Sequence, residues 1–115
     1  MTPSAPLPTP TAADVQTAVE RIVRVAAPLR VIVFGSYARG ETMPGSDLDL
    51  LVVLPHVERR RDAAIALRRA LADLPVPKDI VVASAEEAER RADSTWHIVG
   101  LALREGQVVY ERGER

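Results

Sequence analysis

Hydrophobic and polar positions repeat with two different periods along the chain, and the two periods separate helices from strands. Apolar residues recur at helical spacing from near Thr11 to just before Pro28, which predicts a first helix. Thr11 followed by Asp14 matches a capping box at its start. A second amphipathic pattern over 59–73 places apolar residues on one side and arginines on the other. Both segments are therefore predicted to be helices that pack on a core.

Two shorter helices are predicted in the last third of the chain. Ser84 followed by Glu87 resembles a second capping box, which indicates a short polar helix. Ser94 or Thr95 can cap a further helix that carries Trp96. We therefore expect a pair of short helices before the C-terminal segment.

Short runs of β-branched and other apolar residues predict strands. They are RVIVF at 30–34, DLDLLVVL at 47–54, DIVVA at 79–83 and QVVYE at 107–111. Helices and strands do not alternate regularly, so the order favours a mixed β-sheet covered by helices over a purely parallel sheet. The predicted fold class is therefore α+β, an α/β arrangement of two layers.

Length and composition fit one soluble globular domain. The 115 residues are 47% hydrophobic and 27% charged, with a net charge of −1. The first ten residues are rich in proline and threonine, which predicts a disordered tail at 1–10 and a single domain at 11–115. No apolar run approaches the roughly 20 residues that cross a bilayer, and no signal peptide pattern is visible. We therefore expect a cytoplasmic protein without a membrane partner.

The composition also excludes several classes of function. A nearly neutral chain has no strong basic field for holding nucleic acid. The absence of cysteine excludes disulfides and thiolate zinc sites, and the two histidines are too scattered for a histidine metal site. A reducing compartment fits this composition.

The stretch FGSYARGETMPGSDLDLLVV at 34–53 carries the candidate chemistry. Asp47 and Asp49 open the second predicted strand, and side chains alternate across a strand, so the two carboxylates share one face. Ionised aspartates this close repel each other, and a bound divalent cation removes the repulsion. Magnesium prefers one or two protein carboxylates together with water and substrate phosphates. Asp79, at the start of the third strand, would complete an acidic cluster if it lies beside the pair.

The Gly-Ser pair before the aspartates supplies the other half of a phosphate site. Gly35 lets a phosphate approach the backbone, and Ser36 offers its hydroxyl and amide at the start of the next turn. Arg39 and Ser46 are further candidate phosphate contacts. Arg39 can equally pair with Glu41, and Ser46 can simply shape its turn. Phosphate and metal at one place predict phosphoryl or nucleotidyl transfer.

These motifs resemble the signature of the DNA polymerase β nucleotidyltransferase superfamily, in which Gly-Ser precedes Asp-x-Asp and a distant third aspartate. The matching segments are GSYARG, SDLDLLV and DIVV. The resemblance implies the nucleotidyltransferase fold, with Gly35 and Ser36 holding a triphosphate. It also implies that Asp47 and Asp49 bind Mg²⁺, and that Asp79 completes the metal site and helps to deprotonate the acceptor hydroxyl.

The closing segment WHIVGLALREGQVVYE is similar to the end of the minimal nucleotidyltransferases. Those small proteins are commonly encoded beside a HEPN-domain ribonuclease toxin, act as its antitoxin, and in studied cases transfer AMP from ATP to a tyrosine of the toxin. The resemblance therefore implies ATP as the nucleotide donor, Mg²⁺ as the cofactor and a HEPN toxin as the partner. One departure from the family pattern is Lys78, where an apolar residue usually precedes the third aspartate.

Two alternatives stay open for the function. An antitoxin could neutralise its partner by binding alone, with a vestigial nucleotide site. The nucleotidyl group could instead pass to a small molecule, as in the aminoglycoside nucleotidyltransferases. The oligomeric state is open as well, because apolar helix faces can pack against a toxin or form a homo-oligomer.

Overall fold

The computed structural model describes residues 7–113. Along the chain the elements are α1 (Ala12–Ala26), β1 (Arg30–Phe34), β2 (Leu48–Leu54), α2 (Arg60–Ala70), β3 (Lys78–Ser84), α3 (Ala85–Arg91), α4 (Ile98–Glu105) and β4 (Gln107–Glu111). Most of the predicted tail at 1–10 lies outside the described residues. Within the described part, the Pro8 carbonyl accepts a hydrogen bond from the Gly45 N–H at 3.0 Å, and Pro10 is buried.

The strands form one mixed sheet in the order β3-β2-β1-β4. Strand β1 is antiparallel to both β2 and β4, whereas β2 and β3 are parallel. The β1–β4 register is interrupted between Val31 and Ile32, where β4 bulges. The mixed sheet predicted from the order of the elements is therefore confirmed.

Alternate residues of the strands enter two separate cores, one on each face of the sheet. Leu50 and Val52 pack with the apolar residues of α1 and α2, and Leu51 packs with α3 and α4 on the other face. Two layers were expected, but helices cover both faces and the protein has three layers. The short α3 and α4 supply the extra layer because the β2 positions between Leu50 and Leu54 are apolar on both faces.

The first helix is confirmed together with its capping box. The Thr11 hydroxyl accepts from the Asp14 N–H at 3.2 Å, and the Thr11 N–H donates to the Asp14 carboxylate at 2.9 Å. Helix α2 ends at Ala70, before the predicted 73, because the chain tightens there into turns: the N–H groups of Leu71, Ala72 and Leu74 each reach a carbonyl three residues back. None of the helices within 7–113 is long and apolar enough to cross a membrane.

The starts of the two short helices differ in detail from the prediction. Ser84 caps α3 by accepting from the Glu87 N–H at 3.0 Å. The Glu87 carboxylate does not return to Ser84, because it is buried and pairs with Arg60. Helix α4 is capped by His97, whose ring nitrogen accepts from the Val99 N–H, so the cap predicted at 94 or 95 was wrong.

Candidate functional site

The parallel register between β2 and β3 brings two of the three predicted acidic residues side by side. Asp49 is paired directly with Asp79 in this register. Neighbouring strands lie about 4.8 Å apart, and paired residues point to the same face. The adjacency on which the acidic cluster depended is therefore present between Asp49 and Asp79.

Asp47 lies just outside the sheet. Strand β2 begins at Leu48, one residue later than predicted, and the Leu48 N–H donates to the Pro77 carbonyl at 2.8 Å. The Asp47 side chain is exposed. It is nevertheless close enough for its charge to act on Asp49.

The pKa of the Asp49 carboxyl group is shifted by its surroundings. Partial burial raises the pKa of its carboxyl group, and the neighbouring carboxylates of Asp79 and Asp47 raise it further. The Arg39 guanidinium acts in the opposite direction but does not cancel the increase. The ionised form of Asp49 is therefore energetically unfavourable here, and a bound cation would stabilise it.

The acidic residues do not form a ready-made cage. Among residues 7–113, no three histidine, aspartate or glutamate side chains converge closely enough to hold a metal ion as they stand. A magnesium ion usually needs only one or two protein carboxylates and takes its other oxygens from water and phosphate. Asp49 and Asp79, paired on neighbouring strands with Asp47 close by, supply oxygens of the type that this requirement names.

Gly35 follows β1 and lies against Asp49. Its φ is +72°, in the left-handed region that favours glycine. A Cβ atom built on Gly35 would overlap the Asp49 carboxylate and lie 3.1 Å from its Cγ. The glycine therefore leaves the space that the Asp49 carboxylate fills.

The segment after Gly35 closes into a hydrogen-bonded turn rather than a regular helix. The Arg39 N–H donates to the Gly35 carbonyl at 3.2 Å, and the Glu41 N–H donates to the Ser36 carbonyl at 2.9 Å. Because phosphate binding is predicted for residues 35–40, we call them the phosphate turn. It places Ser36 immediately after the glycine that contacts Asp49.

Arg39 and Ser46 each make the local contact that was the alternative to phosphate binding in the sequence analysis. The Arg39 Nε donates to the Glu41 carboxylate at 2.8 Å, and both side chains are more than half exposed. The Ser46 hydroxyl accepts from the Met43 N–H at 2.9 Å and so shapes its turn. A role in phosphate binding stays a prediction for both residues.

Lys78 does not neutralise the acidic residues. It alternates with Asp79 along β3, so its side chain leaves the opposite face of the sheet. Its ammonium group donates to the carbonyls of Leu74 and Val76 at 2.9 and 3.0 Å. Lys78, the departure from the family pattern, therefore leaves the surroundings of Asp79 negatively charged.

One contact to the phosphate turn was missed by sequence reasoning. The Gln107 side-chain amide donates to the Ala38 carbonyl at 3.0 Å. The two residues are 69 positions apart. No local pattern links them, since the contact depends on how β4 pairs with β1.

Comparison with known proteins gives the family. A model of the nucleotidyltransferase domain matches residues 15–109, which includes all of the acidic residues and the phosphate turn. The chain belongs to this nucleotidyltransferase family. The prediction made from Gly-Ser and Asp-x-Asp is confirmed at this level.

Relatives of this nucleotidyltransferase domain extend the comparison. A bifunctional uridylyltransferase/uridylyl-removing enzyme of Bordetella pertussis is 45% identical over 60 residues, which are 50% of this chain. The matched part is only 7% of that enzyme's length.

Two solved structures have the same fold as this nucleotidyltransferase domain. A candidate nucleotidyltransferase from Sulfolobus solfataricus aligns with a TM-score of 0.55 and 19% identity, over 90% of this chain and 91% of its own. A toxin-antitoxin structure with AMP-PNP aligns with a TM-score of 0.52 and 18% identity, over 84% of this chain and 73% of its own.

Proposed function

We propose that this nucleotidyltransferase domain transfers AMP from ATP to a protein hydroxyl, a tyrosine of a HEPN toxin, and acts as the antitoxin of that partner. The observation that carries the proposal is the direct pairing of Asp49 with Asp79 beside Gly35. Paired carboxylates packed against a glycine backbone suit a metal-bound triphosphate. The family match supports nucleotidyl transfer as the type of reaction.

The proposed reaction breaks a phosphoanhydride bond of ATP and forms a phosphoester bond to the acceptor. The oxygen of the acceptor hydroxyl bonds to the α-phosphorus of ATP, and the bond from that phosphorus to the α–β bridging oxygen breaks. Pyrophosphate leaves with the bonding electron pair, and the hydroxyl proton goes to a base. Bound Mg²⁺ would supply charge neutralisation for the phosphate oxygens during this exchange.

The proposal assigns a role to each candidate residue. Asp47, Asp49 and Asp79 would hold Mg²⁺, and the exposed Asp79 would also accept the hydroxyl proton. Gly35 and Ser36 would receive the triphosphate at the start of the phosphate turn. To contact phosphate, Arg39 would have to leave Glu41, and Ser46 would have to leave Met43.

The choice of partner and nucleotide draws on the similar structures. A toxin-antitoxin solved with AMP-PNP shares this fold, which supports an adenine nucleotide and a toxin partner here. The Bordetella pertussis relative is a uridylyltransferase, so a uridine nucleotide is the competing donor to include in any assay.

Intact-mass spectrometry tests the proposal. The domain is incubated with ATP, Mg²⁺ and a HEPN-domain protein from the same gene neighbourhood. We expect the HEPN protein to gain the mass of one or more AMP groups. Asp49→Asn should abolish the gain, because its carboxylate is lost from the paired site. Asp93→Asn, an exposed aspartate between α3 and α4, is the matched control and should label normally.

The alternatives predict different results in the same experiment. No mass gain, combined with rescue of toxin-inhibited growth by Asp49→Asn, would identify an antitoxin that acts by binding alone. Consumption of ATP with AMP transferred to an aminoglycoside but not to the HEPN protein would identify a small-molecule acceptor. Either result would contradict the proposed transfer to a tyrosine.

A further inference from the structure

We propose that Gln107 is a positioning residue, which holds the phosphate turn from the edge strand β4 in the position that receives the triphosphate. The inference rests on the proposed function and adds a residue that lies outside the Gly-Ser and Asp-x-Asp motifs. Its basis is the hydrogen bond from the Gln107 amide to the Ala38 carbonyl.

The position of Gln107 is set by the sheet. It is the first residue of β4 and pairs with Val33 of β1, two residues before Gly35. The side chain therefore starts beside the end of β1, where the phosphate turn begins. From there its amide reaches the turn at Ala38, with a donor to acceptor distance of 3.0 Å.

The phosphate turn needs an anchor outside itself. Gly35 and Gly40, at its two ends, have φ values of +72° and +71°. The backbone hydrogen bond from Arg39 to Gly35 closes within the turn, so it does not fix the turn relative to the sheet. Tyr37 packs part of its side chain against the core under α1 and α2. Gln107 acts instead on the backbone.

The hydrogen bond from Gln107 fixes one particular peptide group. The Ala38 carbonyl and the Arg39 N–H belong to the same planar unit. Gln107 binds the carbonyl at one end of this unit, and the Gly35 carbonyl accepts from the N–H at the other end at 3.2 Å. Gly35 in turn lies against Asp49. A continuous set of contacts therefore joins the edge strand to the acidic residues.

A neutral donor suits this place. The charges of Glu41, Glu105 and Asp49 all act on Arg39, which belongs to the turn. A carboxylate in place of the Gln107 amide would repel the Ala38 carbonyl and would add one more negative charge where a triphosphate is to bind. The amide donates without changing the charge.

Gln107→Met tests this role, because methionine has a similar length but no donor. The matched control is Gln16→Met, which changes the exposed glutamine of α1. Binding of α,β-methylene-ATP with Mg²⁺ is measured by calorimetry. We expect Gln107→Met to weaken binding by about 2- to 5-fold, as for the loss of one exposed neutral hydrogen bond. Gln16→Met should bind as the wild type does.

Two further readouts separate positioning from general stability. In the nucleotide-free protein, Gln107→Met should speed hydrogen exchange of the amides at 39–41, with exchange in α1 unchanged. In the transfer assay, the KM for ATP should rise while kcat stays within about twofold. Gln107→Lys, which restores a donor, should recover the slow exchange of the turn.

The outcomes distinguish this inference from the proposed function. If the wild type binds no α,β-methylene-ATP with Mg²⁺, the proposed function fails and this role fails with it. If the wild type binds and Gln107→Met binds equally well, the positioning role alone is overturned. Unchanged exchange at 39–41 in Gln107→Met would also overturn it, whatever the nucleotide affinity.

Discussion

Replacing Gly35 by alanine should weaken nucleotide binding while leaving a folded protein. The substitution has two separable effects. It forces a residue with a Cβ into the left-handed conformation at φ +72°, and it places that Cβ inside the space of the Asp49 carboxylate. The first effect lowers stability, and the second displaces a residue of the acidic site.

The sizes of the two effects follow from the structure. The left-handed conformation costs about 1–2 kcal/mol for a residue other than glycine. A loss of 1 kcal/mol lowers the Tm of a domain this small by roughly 4–8 °C. The Asp49 carboxylate has to move by about 1 Å to reach ordinary contact with the new Cβ, and a displacement of that size can cost about 100-fold in a site that requires defined geometry.

Gly40→Ala is the matched control for this prediction. Gly40 has nearly the same φ, +71°, but a Cβ built on it meets no atom within 4 Å. Thermal unfolding should therefore show a similar drop in Tm for both variants. Calorimetry with Mg²⁺ and α,β-methylene-ATP should show binding by Gly40→Ala and at least about 10-fold weaker binding by Gly35→Ala. Equal affinity in the two variants would refute the close contact between Gly35 and Asp49 as the cause.

Three other substitutions test separate parts of the structure. Asp49→Asn should raise Tm at pH 7, because the raised pKa makes the charged carboxylate costly in the folded state. The gain should vanish as the pH falls through that pKa and the wild-type residue takes up its proton; a constant gain would contradict this cause. Glu87→Gln should lower the free energy of unfolding by about 1–2 kcal/mol in urea titrations, since Arg60 loses its charged partner, while the exposed Glu86→Gln stays within about 0.5 kcal/mol. Thr11→Ala should cost about 1 kcal/mol in the same titrations through loss of its cap, and no loss would argue against the capping box.

The strands could be predicted because each is a short apolar run with a clear end. The segments at 30–34 and 107–111 match β1 and β4 residue for residue. The start of α4 could not be predicted in the same way. Its cap is the ring nitrogen of His97, whereas Ser94, a better capping residue by type, accepts from the His97 N–H at 3.2 Å instead.

The acidic site could be predicted only in part from local sequence. The spacing of Asp47 and Asp49 suggested carboxylates on one face, because that follows from strand geometry alone. The partnership of Asp49 with Asp79 depends on the register of two parallel strands, which the separation of β2 and β3 along the chain does not fix. Glu87 shows the same limit, because its pairing with Arg60 replaces the local cap expected for it.

Calorimetric titration of the wild type with α,β-methylene-ATP, with Mg²⁺ and then with EDTA, tests the central claim most directly. The paired carboxylates beside Gly35 predict binding that requires Mg²⁺ and that Asp49→Asn abolishes. Binding of equal strength in EDTA, or by Asp49→Asn in the presence of Mg²⁺, would contradict a metal-dependent nucleotide site at this pair.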